Sequence, residues 1–219
     1  MSYEKAPPTG FEPVHLPPEG SALSPELRGR RIGKAISEIS CQDEQMSQRA
    51  YFATGCFWGA ERRFWNLPGV IETAVGYMGG STTNPTYKEV CSGSTNHAET
   101  VEVIFDPDQI SYQRLLEEFW TMHDPTSLNR QGGDIGTQYR SAIFTTSQEQ
   151  MIAAINSREL YNAELVKTGL SEIVTEIVEA KPHKFWAAEE YHQRYLEKNP
   201  NGYDCHSSTG IPFPKVEVK

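Results

Sequence analysis

The chain has 219 residues, 37% of them hydrophobic, with 20 Lys and Arg against 29 Asp and Glu, a net charge of −9. That length allows one domain with a sizeable core and an appendage. No apolar run approaches the roughly 18 residues of a membrane span, and the longest basic cluster is "RGRR" at residues 28–31, so neither membrane nor nucleic acid is indicated as the main partner.

The N-terminus, "MSYEKAPPTGFEPV", lacks the basic start and apolar core of a secretory signal, which favours the cytoplasm. Six of the 14 prolines fall in the first 25 residues, too dense for regular structure, so residues 1–47 read as a Pro-rich arm. Within it, Ile32, Ile36 and Ile39 recur at helical spacing and predict a short helix over 26–40. Residues 48–219 form the body.

There "RAYFAT" reads as a strand ending at Gly55, and residues 58–67 as a helix stopped by Pro68-Gly69. "GVIETAVGYMGG" is a second strand and "HAETVEVIF" (97–105) a third. A helix from Ser111 to His123 carries Leu115, Leu116, Phe119 and Trp120 on one stripe and ends before Asp124-Pro125. "QYRSAIFTT" (138–146) is a fourth strand, and Ser147 with Gln150 predicts a capping box for a helix running to Gly169. "EIVTEIVEA" (172–180) is a fifth strand and residues 187–198 a last helix, followed by a tail of turn residues. The order predicts an α+β fold, one sheet with helices laid on it.

Four cysteines, Cys41, Cys56, Cys91 and Cys205, are too few and too dispersed for a disulfide scaffold, and neither CxxC nor zinc-ligand spacing occurs. In a reducing cytosol such residues are buried packing groups or working thiols. Cys56 lies in "GCFWGAE" at the strand–helix junction. A thiol at a helix amino end meets unpaired amides and a partial positive charge that favour the thiolate. Gly55 permits the tight turn, and Phe57 and Trp58 offer an apolar wall suited to a substrate with an apolar group at its reacting centre. The same spacing fits a cysteine buried in an aromatic core.

Glu99 shares parity with Val101, Val103 and Phe105, which puts its carboxyl on an apolar face where desolvation makes a proton donor, unless the strand start frays into water. "QGGDIGTQYRS" is a glycine-rich turn carrying Asp134, with Tyr139 just inside the next strand; such turns serve sites or act as ordinary connectors.

Together, "GCFWGAE", "TYKEVCSG" (86–93), "HAETVEV", "GGDIGTQYRS" and "AEEYHQRYL" (188–196) resemble the A-type peptide methionine sulfoxide reductases, in family order over residues 50–205. The resemblance implies a two-layer α+β sandwich with a ferredoxin-like core, a mixed sheet, long coil segments and a C-terminal tail. It implies that Phe57 and Trp58 hold the ε-methyl of methionine sulfoxide and that Cys56 attacks the sulfur. By the same resemblance Glu99 protonates the oxygen, Tyr87 and Tyr139 donate to it, and Asp134 is expected near it, through water or as an orienting group. Cys56 is left as a sulfenic acid, which Cys205 converts to a disulfide for a thioredoxin-like dithiol to reduce. The substrate implied is the S epimer, free or in proteins, handled by a monomer without organic cofactor or metal. No cysteine follows Cys205, so a relay within the tail is not expected. Cys91 reads as a buried packing residue in a strand-like motif, and Cys41 as a spectator. Competing readings are a cysteine hydrolase or acyltransferase pairing Cys56 with His97 or His192, and a thiol redox sensor without catalysis.

Overall fold

The computed structural model describes residues 47–204 and 207–215. The arm over residues 1–46, its expected helix, Cys41 and Cys205 lie outside the described residues.

In chain order the elements are β1 (Gln48–Thr54), α1 (Phe57–Trp65), β2 (Val70–Met78), α2 (Tyr87–Cys91), β3 (Ala98–Phe105) and α3 (Tyr112–Met122). There follow β4 (Arg130–Gln131), β5 (Asp134–Ile135), a 3-10 turn (Thr137–Tyr139), β6 (Ser141–Thr145), α4 (Gln148–Lys167), β7 (Glu176–Glu179), β8 (Trp186–Ala187) and α5 (Tyr195–Lys198). Six strands form one mixed sheet in the order β7-β6-β1-β3-β2-β8, parallel only between β6 and β7; β4 and β5 make a separate small hairpin. The inner strands β6-β1-β3-β2, with α1 and α3 as connections, have the β-α-β-β-α-β order of a ferredoxin-like core.

Strand alternation sorts the side chains. Ala50 and Phe52 of β1, Val75 and Tyr77 of β2, and Val101, Val103 and Phe105 of β3 face the main core with Phe57, Phe64, Leu115 and Phe119 from the helices. Tyr51, Ala53, Met78 and Phe144 face a smaller cluster on the opposite side. Glu99 therefore stands on the same side as the main core. Pairing of β1 with β3 reaches Phe52–Val101, so Glu99 lies two residues further, at the end where β1 turns into α1.

Local chemistry accounts for the boundaries and for four departures from expectation. The Ser111 side chain caps α3 by accepting from Arg114 N, as Ser147 caps α4 by accepting from Gln150 N, each worth about 1 kcal/mol. The reciprocal half of the Ser147 box is replaced by tertiary bonds: Gln150 accepts from Thr146 N at 3.0 Å and donates to Arg49 O at 2.8 Å. A full capping box forms instead at Thr86 and Glu89, which turns the strand-like "TYKEVC" into α2. Cys91 ends that helix and is exposed, so it is not a buried packing residue. Tyr139 belongs to the 3-10 turn rather than to β6.

The helix expected over 187–198 survives only as Tyr195–Lys198. Residues before it are drawn to the sheet: β8 pairs with β2, Gln193 bridges Val75 N and O at 2.9 and 2.8 Å, and Arg194 takes a left-handed φ of 53°. These bonds outweigh the helical propensity of the segment.

Candidate active site

Cys56 is the N-cap of α1, with φ −56° and ψ 121°, and is 7% exposed. The strand-to-helix turn needs glycine before it. Gly55 has φ +99°, and a Cβ there would lie 2.5 Å from Gln131 Cγ. Gln131 is fixed in turn by Asp124, accepting from its amide at 3.1 Å and donating to its carbonyl at 2.6 Å. The β4–β5 hairpin is thus packed directly on the turn that presents the thiol.

One residue after Cys56, Phe57 N donates to Glu99 Oε2 at 3.1 Å. Glu99 is 2% exposed, so the frayed, solvated alternative is excluded. Burial pushes its carboxyl up to about 8; the Phe57 hydrogen bond opposes the shift, and the charge of Asp134 adds to it. At neutral pH the carboxyl is largely protonated. Tyr139, raised above the usual phenol value by burial and then by Glu99 and Asp134, lies within electrostatic reach of Cys56 and Cys91 as well. Burial also raises Tyr87, followed by Glu99 and Cys91, with whose thiol its hydroxyl is hydrogen-bonded. Both phenols stay neutral and able to donate.

An aromatic wall stands beside these groups. Phe57 is buried, with its ring centroid 6.4 Å from Trp58 and 6.0 Å from Tyr77. Trp58 stacks on Tyr195 at 3.9 Å and 17°, and its indole N–H donates to His192 Nδ1 at 3.1 Å. The His192 ring also lies 4.6 Å from that of Tyr87. Cys56, Phe57, Trp58, Tyr87, Glu99, Asp134 and Tyr139 are brought together; Cys205 is outside the described residues.

Four further residues at this site have no role legible from the sequence alone. Glu189 accepts from Tyr87 N at 2.8 Å and from Tyr77 Oη at 2.7 Å. Tyr203 donates to Asp134 at 3.1 Å, Asp204 pairs with Arg62 of α1, and Glu61 accepts from Arg194 N at 2.9 Å. Glu189 falls in the late motif "AEEYHQRYL", Tyr203 and Asp204 in the tail "GYDC", and Glu61 at the end of "GCFWGAE"; no periodicity places these polar side chains.

The histidines do not make a base for Cys56. His97 accepts from Gly80 N at 3.1 Å through Nδ1, so its Nε2 donates to Thr82 O at 2.8 Å. Burial holds His192 down at about 4, and its Nδ1 is committed to Trp58. The hydrolase reading loses its second group. Among the described residues, no set of three or more His, Cys, Asp or Glu side chains could hold a metal ion. None of the helices among them is long and apolar enough to cross a membrane.

Residues 48–216 match the family model described as peptide methionine sulfoxide reductase. The chain is 53% identical over 196 residues to "Peptide methionine sulfoxide reductase MsrA" of Vibrio vulnificus, covering 86% of this chain and 93% of that one. It is 54% identical over 171 residues to the protein of that name from Methylococcus capsulatus, covering 78% and 76%. Among solved structures it is similar to methionine sulfoxide reductase A of Corynebacterium diphtheriae, with TM-score 0.71 and 46% identity over 78% of this chain and 84% of that one. It is also similar to reduced Mxr1 of Saccharomyces cerevisiae, with TM-score 0.67 and 36% identity over 75% and 93%.

Proposed function

From the premise that the chain belongs to the peptide methionine sulfoxide reductase family, we propose a residue-by-residue course for its reaction. Members of this family are oxidoreductases that reduce methionine sulfoxide to methionine, and this chain is one of them.

The substrate's S–O group meets Glu99, Tyr87 and Tyr139, and its methyl lies against Phe57 and Trp58. Cys56 attacks the sulfoxide sulfur as a thiolate while Glu99 gives its proton to the oxygen; the phenols of Tyr87 and Tyr139 donate to the same atom, and Asp134 orients it. In the resulting adduct the substrate S–O bond and the transient Cys56–substrate S–S bond break as the oxygen passes to the Cys56 sulfur. Thiolate, sulfoxide and one proton become Cys56 sulfenic acid and methionine, and Glu99 is left ionised. Cys205 attacks the sulfenic acid, a Cys56–Cys205 disulfide forms, and water leaves. A thioredoxin-type dithiol then reduces the disulfide through a mixed disulfide. Tyr203 on Asp134 and Asp204 on Arg62 support that role, because they tie the two residues preceding Cys205 in sequence to the site. In this reading the enzyme acts in the cytoplasm as a monomer, repairing oxidised proteins and free methionine sulfoxide.

The observation that carries the proposal is the buried carboxyl of Glu99, bonded to the amide next to Cys56; burial raises it to about 8. The test is a single-turnover assay on resolved sulfoxide epimers with dithiothreitol as reductant. Consumption of the S epimer alone, dependent on both Cys56 and Glu99, is expected. Equal consumption of both epimers would refute the stereochemical assignment.

A further inference from the structure

The proposed course leaves a second buried carboxyl unused. Glu61 stands on α1 five residues after Cys56 and is 0% exposed. Its Oε1 accepts from Thr73 Oγ1 of β2 at 3.2 Å, and its Oε2 accepts from Arg194 N at 2.9 Å. Arg194 has φ +53°, a conformation costly for a residue with a side chain and maintained only where surrounding contacts over-determine it. Here the contacts include the Glu61 bond, the guanidinium laid over the Trp65 ring at 4.0 Å and its pairing with Glu197 at 3.0 Å.

The neighbours of Arg194 bear on the methyl wall. His192 accepts the Trp58 indole N–H at 3.1 Å, and Tyr195 stacks on the Trp58 ring at 3.9 Å. Gln193 holds the same segment to Val75. Trp58 is only partly buried, so its ring plane is fixed by this segment as much as by the core.

We propose that Glu61 is a positioning residue for the methyl pocket, fastening the segment from His192 to Tyr195 onto the catalytic helix and thereby setting the plane of Trp58. This rests on the reading that Trp58 and Phe57 hold the substrate methyl. The carboxyl acts by length and by its two oxygens, not by charge. Burial brings it up to about 7, against opposing hydrogen bonds from Arg194 and Thr73 and the charges of Arg194 and Lys198. The tie holds in both protonation states: the neutral acid still accepts from Arg194 N, and its hydroxyl can donate to Thr73 Oγ1. Glutamine reproduces that arrangement, with its carbonyl on Arg194 N and its amide on Thr73. Aspartate keeps the charge but is one methylene too short to span both partners.

The test compares Glu61→Gln with Glu61→Asp, using dithiothreitol as reductant and paired methyl and ethyl sulfoxides as substrates. A fitted hydrophobic pocket distinguishes one methylene by about ten- to two-hundredfold. Glu61→Asp is therefore expected to raise KM for the methyl sulfoxide by up to roughly tenfold, by loss of uniform binding, and to narrow the preference for methyl over ethyl. Its saturating single-turnover rate should stay within about threefold of wild type, because the reacting groups are untouched. Glu61→Gln should restore both KM and preference. An unchanged KM and preference in folded Glu61→Asp, or equal impairment of the two variants, overturns the proposal. If Glu61→Asp does not fold, Tyr195→Leu removes the other end of the brace; the same KM and preference shifts support the proposal, and their absence overturns it. Trp58→Leu separates the two levels. If it leaves the preference unchanged, the methyl-wall reading fails; if it shifts the preference while Glu61→Asp does not, only the role of Glu61 fails.

Discussion

The backbone N–H of Phe57 donates to Glu99 Oε2 over 3.1 Å, joining the first amide of the helix behind Cys56 to a carboxyl that is 2% exposed. One bond thus fixes the proposed nucleophile's helix relative to the proposed proton donor. It also leaves the donor short of full solvation, since a single amide offsets only part of the cost of burying a charged carboxylate. Burial raises the carboxyl to about 8, so the proposed acid can hold a proton near neutral pH, and it is bonded to the residue next to the proposed nucleophile.

Glu99→Gln keeps the shape and removes the proton. Single-turnover methionine formation should fall by about a hundred- to ten-thousandfold. In the wild type the rate should decline as pH rises through about 8, where Glu99 loses its proton, and the variant should lack that decline. An unchanged rate from pH 5 to 9 would reduce Glu99 to a structural residue.

Stability should carry the same signature. The folded-state value of Glu99 is raised from 4.5 to about 8, so the folded protein holds a proton that the unfolded chain releases across that window. Its contribution is complete below about pH 4.5 and is lost as pH rises through about 8. Glu61, raised to about 7, adds a slope of the same sign and remains in the variant. Urea unfolding at pH 5 and pH 9 should therefore show wild type losing more stability than Glu99→Gln over that interval. A pH-independent difference between them would contradict the buried, protonated acid.

Much of this site was legible in the sequence because its residues sit where local rules are strong. Strand parity put Glu99 with Val101 and Val103, and the aromatic run after a glycine placed Cys56 at a helix start. The errors came where tertiary bonds displaced local propensity. "AAEEYHQRYLEK" is rich in helix formers, yet Gln193 exchanges hydrogen bonds with Val75, and Arg194 takes a left-handed turn to reach Glu61. Cys91 departs from its expected buried place for a different reason. The T-x-x-E signal at Thr86 and Glu89 was present, but the helix it starts is too short to show periodicity. Glu189 could not be read at all, since its partners Tyr77 and Tyr87 lie about a hundred residues earlier.

Gly55→Ala should impair both stability and turnover. The new Cβ would meet Gln131 Cγ at 2.5 Å in a backbone with φ +99°, so the turn or the hairpin must shift. A loss of more than about 1 kcal/mol is expected, exceeding the usual small benefit of replacing glycine. Urea unfolding and single-turnover assays on the same preparation check it; an unaltered midpoint would show that the turn does not require glycine.

Recycling should separate the cysteines. Cys205→Ser should reduce about one sulfoxide per chain and then stall with thioredoxin, which attacks a disulfide rather than a sulfenic acid. Cys91→Ser should recycle normally and change stability by less than about 0.5 kcal/mol, because Cys91 is exposed and the serine hydroxyl can keep the hydrogen bond to Tyr87. Thiol counting after one equivalent of substrate checks both: wild type and Cys91→Ser should lose two free thiols, and Cys205→Ser one. Normal cycling by Cys205→Ser with thioredoxin would move the resolving role to Cys91 or Cys41.

The most direct measurement is of the sulfur of Cys56 itself after a single turnover. Cys205→Ser, given one equivalent of the S epimer without reductant and then a sulfenic-acid trapping reagent, is analysed by peptide mass spectrometry alongside methionine quantitation. The account predicts one methionine formed per trapped Cys56, no adduct on Cys91, and neither product in Cys56→Ser. Methionine formed at wild-type yield with Cys56 unmodified, or formed by Cys56→Ser, would contradict it.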